Sequence, residues 1–93
     1  MTAPLFPLGR VVATPGALAA LAEASAEPLD LLSRHAAGDW GVVPACDARE
    51  NERSLKHGWR LLSSYPIGKD GAKVWIITEA DRSSTCLLLP EEY

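Results

Sequence analysis

The residues best suited to chemistry lie together near the C-terminal end: Glu79, Asp81, Arg82, Ser83 and Thr85. Ser63 and Tyr65 add hydroxyl groups from a segment expected to run alongside. A carboxylate beside a guanidinium can bind or cleave a phosphodiester. Glu79 would act as general base and Arg82 would hold the developing negative charge, with Thr85 completing the bend. His35 or His57 would supply the acid, although neither is local in sequence. The same residues also suit a plain turn, in which Asp81 and Ser83 bond the turn amides and Arg82 pairs with Glu79 or Asp81. On that reading the cluster fixes strand register and there is no catalytic residue.

No other pattern announces a reaction. The chain has no Gly-x-Gly-x-x-Gly, no phosphate-cradling loop, no Gly-x-Ser-x-Gly elbow, no His-Glu-x-x-His and no calcium loop. Cys46 and Cys86 stand apart from each other and from both histidines, so they read as ordinary thiols. No cofactor and no metal is expected. The net charge of −3 argues against direct nucleic-acid binding, which depends on basic residues neutralising phosphates. It leaves room for an acidic face that meets a basic partner. A length of 93 residues predicts one domain, 1–93, and an apolar fraction of 47% with three tryptophans can fill a core. No run is long enough to span a membrane and the first residues lack a signal-peptide pattern, so a cytoplasmic location is expected.

The elements that must position these groups can be read in order. Leu8–Thr14 is a short apolar strand. Thr14-Pro15 is a helix start, with Thr as N-cap and Pro where its missing N–H costs nothing. The helix from Gly16 to about Ser25 sets Leu18, Leu21 and Ala22 on one face. Pro28 opens a second helix with Leu29, Leu32 and Ala36 on one face and Leu31 beside His35; Gly38 ends it, and His35 suits the helix end as a cation. Trp40, between two glycines, is expected to fold over the core with its indole N–H partnered, while Asp39 caps neighbouring amides. A third helix is expected to start at Asp47, whose spacing to Glu50 matches a capping box, and to stop at Gly58. Ala48, Leu55 and Trp59 share a stripe that includes Asn51, which implies a buried amide tying this helix to a loop. Glu52 and Lys56 form an i,i+4 pair.

Trp59–Tyr65 reads as a strand, with Pro66 favouring an edge or a strand end. Gly68–Gly71 is a hairpin turn, followed by strands over Lys73–Glu79 and Thr85–Leu89. The pattern β-α-α-α-β-β-β predicts an α+β domain: an antiparallel three-strand C-terminal meander, plus a short N-terminal strand, packed against helices. A bend of Asp81 to Ser83 would set Ile77 opposite Leu87 and Glu79 opposite Thr85. Trp75, Ile77, Leu87 and Leu89 would then form one apolar face, and Val74, Ile76, Cys86 and Leu88 the other. Helices can cover one face. The other is expected to meet the N-terminal segment, a second copy in a homodimer, or a partner.

Leu8–Leu18, Arg34–Gly41, Asp47 with Asn51, Trp75–Ser83 and Leu88–Tyr93 together resemble a family of short proteins from plasmids, prophages and integrative elements of proteobacteria, some of them labelled as restriction-modification related. The sequence departs from that pattern at Cys86, where a Thr is expected, and over Val42–Cys46, which replaces a more acidic loop. The resemblance implies a mobile-element protein and fits an inhibitor of bacterial defence, of anti-CRISPR or antirestriction type. Such an inhibitor would act sterically on a host protein or ribonucleoprotein complex, through Asp39, Trp40, Glu50, Glu52 and Arg53. The alternatives are a small RNase-like toxin or phosphodiesterase, using Glu79, Arg82, Thr85 and His35, and an accessory dimer with no direct activity.

Overall fold

A computed structural model describes residues 4–68 and 71–93. Its order is β1 (Arg10–Ala13), α1 (Pro15–Glu23), α2 (Pro28–Ala36), α3 (Ala45–His57), β2 (Leu61–Pro66), β3 (Lys73–Thr78), β4 (Ser84–Leu88) and a closing 3-10 turn, Pro90–Glu92. This is the predicted α+β pattern. The four strands form one mixed sheet in the order β1-β4-β3-β2. β2, β3 and β4 are the antiparallel meander, and β1 lies parallel to β4 at the far edge.

Local sequence accounts for most of the boundaries. Thr14 caps α1, its Oγ1 accepting from the Ala17 amide at 3.1 Å, with Pro15 at the first helical position. Gly58, in the left-handed region at φ 75°, ends α3. The predicted capping box at Asp47 is not formed. α3 begins two residues earlier after Pro44, whose side chain makes no cap bond, and Asp47 sits in the first turn, where its charge suits the helix N-terminus. The predicted turn at Gly68–Gly71 includes Lys69 and Asp70, which lie outside the described residues; the Ile67 amide bonds the Ala72 carbonyl at 2.8 Å across its base.

The expected strand register is off by one. Ile77 faces Cys86, Thr78 faces Thr85, and Glu79 donates its amide to the Ser84 carbonyl at 3.0 Å, so the bend spans Ala80–Ser83. One additional bend residue turns β4 over, because side chains alternate with a period of two. The core face is therefore Val74, Ile76, Thr78, Thr85 and Leu87, all buried. Trp75, Ile77, Cys86 and Leu88 point to the other side.

On the core face, α1 and α2 contribute Ala17, Leu21, Leu31 and Leu32 to a cluster with Tyr65, Val74, Ile76 and Leu87. Leu18 and Leu29, predicted to face inward, are 51% and 71% exposed; Ala17 and Leu31 take their places. A second cluster joins Phe6, Trp40 and Leu61, with Ala48 and Leu55 of α3 against it. The N-terminal segment thus joins the core side through Phe6 and Leu8. The outer face is covered in part by the C-terminus instead: the Tyr93 ring sits 5.6 Å from Trp75, and the Arg60 guanidinium donates to the Tyr93 hydroxyl at 2.9 Å.

Candidate functional site

Three adjacent strands each present a hydroxyl to the core: Thr78 and Thr85 stand opposite each other, and Ser63, opposite Ile76, lies diagonal to Thr78. α2 sets His35 over them. The imidazole is wholly buried, with Nδ1 2.5 Å from Ser63 Oγ and Nε2 2.9 Å from Thr78 Oγ1. Thr78 and Thr85 hydroxyls lie 2.7 Å apart, and Thr85 donates to the Leu8 carbonyl at 2.7 Å. The proton order follows from the last acceptor. A carbonyl only accepts, so Thr85 spends its hydrogen on Leu8; Thr78 must then donate to Thr85 and accept from His35. The imidazole is therefore the Nε2–H tautomer, and Nδ1 accepts from Ser63. Burial, reinforced by the Arg82 charge, pushes the His35 pKa down to about 4. A neutral ring is what this chain of bonds requires.

Arg82 is equally committed. Its Nη1 donates to the carbonyls of Trp59 (2.6 Å), Glu79 (3.1 Å) and Ala80 (3.1 Å), and Nη2 to that of Ser54 (3.0 Å). The residue itself is in the left-handed region, at φ 61°. One guanidinium thus ties the last turn of α3 to the strand start and to the β3–β4 bend. The predicted pairing of Arg82 with Glu79 or Asp81 side chains is not formed. Glu79 lies 3.7 Å from Arg60 instead, and Asp81 accepts the Ser83 amide at 3.0 Å. His35 and Thr85 are in one buried chain and Glu79 is on the outer side, so the four predicted catalytic residues do not converge on a common cavity. His57 stacks on Trp59, with ring centroids 4.8 Å apart.

The predicted docking residues divide. Trp40 is 7% exposed and plugs the second cluster; its indole donates to Glu52 Oε2 at 2.9 Å, which takes Glu52 out of the expected pair with Lys56. Asp39 pairs with Arg34 at 2.7 Å and accepts the Gly41 amide at 3.2 Å, and the Arg34 partner holds its carboxyl below the usual range. Tyr65 donates to the Asp39 carbonyl, and Arg34 stacks 4.6 Å over its ring. Glu50 and Arg53 form an open pair at 3.4 Å on the outside of α3.

The two sheet edges are treated differently. β2 is closed. The Asn51 side chain behaves as a peptide group: Nδ2 donates to the Leu62 carbonyl at 2.7 Å and Oδ1 accepts its amide at 3.1 Å. Asn51 is thus tied to a strand rather than to the predicted loop. At Ser64 the amide bonds the Trp40 carbonyl at 3.0 Å, and the carbonyl accepts from Val42 at 2.8 Å. Gly41, at φ 76°, makes this approach feasible, because a Cβ there would lie 1.9 Å from the Ser64 oxygen. Pro66, next in the alternation, has no N–H to satisfy.

β1 is open. Its Arg10 and Thr14 amides bond the Ser83 and Leu87 carbonyls, at 2.9 and 3.0 Å. Alternation then turns the amides and carbonyls of Val11 and Ala13 away from β4. Val11 is 44% exposed and borders a groove of about 900 Å³, walled by the Pro4–Gly9 segment on one side and α2 on the other. Among the described residues, no group of three or more His, Cys, Asp or Glu side chains is placed to hold a metal ion, and no helix is long and apolar enough to cross a membrane.

No protein-family model, no curated protein and no solved structure matches the chain. Sequence reasoning missed the buried hydroxyl chain, the carbonyl clamp of Arg82 and the open edge. A hydroxyl on the apolar side of three neighbouring strands was the signal for the first; it becomes visible once the register is right.

Proposed function

We propose that the chain is a non-enzymatic binding protein that engages a host protein or ribonucleoprotein complex and blocks it sterically, as an anti-CRISPR or antirestriction protein of a mobile element would. One observation carries the reading. The polar groups that could have formed a phosphodiesterase site are spent inside the fold: Arg82 on four carbonyls, His35 and Thr85 on a buried chain ending at Leu8. A catalytic guanidinium must be able to meet developing charge on a substrate, and a general acid must reach the leaving group. The likeness to mobile-element proteins, carried by Trp75–Ser83 and the segments around it, supports the same reading. Of the expected contact set, Asp39, Glu50, Glu52 and Arg53 are exposed, Glu52 also holding the Trp40 indole, while Trp40 itself serves the fold.

The test is expression in bacterial hosts that carry defined CRISPR or restriction systems, challenged with phage or plasmid targets. Escape of the targets, with the interference complex co-purifying with the protein, is the expected result. Growth arrest on expression, relieved by an Arg82 variant that still folds, would move the reading to a toxin.

A further inference from the structure

We infer that the open β1 edge is a docking site for an extended polypeptide segment of a partner, which adds to the sheet as a fifth strand. The inference rests on the reading of the chain as a binding protein and says where the partner binds. The contrast between the edges is the main argument. A sheet edge is a template for another strand, and proteins normally blunt it. This chain blunts β2 at Leu62, Ser64 and Pro66 in succession. At β1 the Val11 and Ala13 backbone groups have no partner among the described residues, and Val11 and Val12 are 44% and 43% exposed.

The surroundings define the occupant's chemistry. Side chains of an added strand beside Val11 and Ala13 would point to the core side, the first into the groove lined by Leu8, Val11, Leu29 and Leu32 and the second against the edge of the core cluster that Ala13 joins. The charged residues lining that groove, Arg34 and Asp39, neutralise each other at 2.7 Å, so these positions call for uncharged apolar side chains. Arg10 has no acidic partner among the described residues, and the position beside it calls for Asp or Glu. The segment thus carries an acid beside Arg10 and apolar residues beside Val11 and Ala13. Main-chain bonds would provide affinity and the alternate side chains specificity.

The experiment selects binders to the full chain from a displayed library of random twelve-residue peptides, then measures the selected peptides by fluorescence anisotropy. Enrichment of an acid followed or preceded by alternating apolar residues is expected. Val11→Pro removes an N–H that the fold does not use, at an edge position where proline is tolerated. It should keep the melting temperature and weaken the peptides about tenfold or more. Arg10→Glu should exchange the preference for an acid for a preference for Lys or Arg. No enrichment, equal binding to Val11→Pro, or an unchanged charge preference in Arg10→Glu would overturn the inference. So would a concentration-dependent dimer by light scattering that Val11→Pro abolishes, which would make a second copy the occupant, or binding that emerges only on removal of Met1–Ala3, which would make the chain's own start the occupant. If Val11→Pro loses the peptides but wild type gives no phage escape, the edge stands and the anti-defence reading fails. If Val11→Pro gives full escape, the edge fails and that reading stands.

Discussion

Acidification should destabilise this protein through His35. The folded-state pKa is depressed to about 4 against an unfolded value of 6.5, so the neutral ring is the stabilised form. Between those two values the unfolded chain binds a proton that the folded chain refuses. Stability is then fully present above pH 6.5, falls as the pH drops toward 4, and levels off for this group below that. Each pH unit in the window is about 1.4 kcal/mol, so the loss is about 3 kcal/mol, a large share of the 5–15 kcal/mol typical of such domains. The physical cause is the directed hydrogen-bond chain. A proton on Nδ1 would meet the hydrogen that Ser63 already donates there, and the added charge would sit without solvent near Arg82. Asp39, Asp81 and Glu92 have folded-state pKa values below their ordinary range, so their contributions disappear only at still lower pH. Urea denaturation at half-unit steps from pH 7.5 to 4.5 reads the slope. NMR titration of the His35 ring reads its midpoint and, through the nitrogen shifts, the Nε2–H tautomer. A midpoint near 6.5, an Nδ1–H ring, or a slope that persists undiminished in His35→Gln would refute the reasoning.

Three further outcomes follow from individual contacts. Arg82→Ala should cost about 2–4 kcal/mol in urea denaturation, because one charged donor group serves four carbonyls, and Arg82→Lys should recover little, since an ammonium cannot fork across them. Asn51→Asp should cost about 2 kcal/mol or more at neutral pH, by turning a carboxylate oxygen toward the Leu62 carbonyl, whereas the same residue at Glu50 should shift stability by less than about 0.5 kcal/mol. Gly41→Ala should cost about 3 kcal/mol or more and loosen the β2 edge, seen as faster amide exchange at Ser64, because the new methyl meets a backbone oxygen at positive φ.

Much of the fold is legible in the sequence. Thr14-Pro15 and Gly58 act through neighbours a few residues away, so their sequence context was enough. Trp40 between glycines and Asn51 inside an apolar stripe each implied burial with a hydrogen-bond partner, and both have one. The α+β order followed from where the apolar period changes. The capping box at Asp47 misled because Pro44 had already set the helix start. The inward placing of Leu18 and Leu29 misled because a short helix with apolar residues on two sides does not say which side meets the sheet.

The tertiary structure alone decided what these residues do together. One bend residue, admitted by Arg82 in a left-handed conformation, set the β3–β4 register and turned β4 over; no local pattern distinguishes a bend of three from one of four. Only then do Ser63, Thr78 and Thr85 come together under His35, from positions up to 50 residues away. Arg82 reads as a catalytic cation in sequence because the carbonyls that occupy it are backbone groups, which every residue has and no sequence marks. The placing of β1 beside β4 is likewise a matter of packing. Composition indicates a short apolar strand, but which of its backbone groups are left facing solvent depends on the strand it meets and on what lies beyond it.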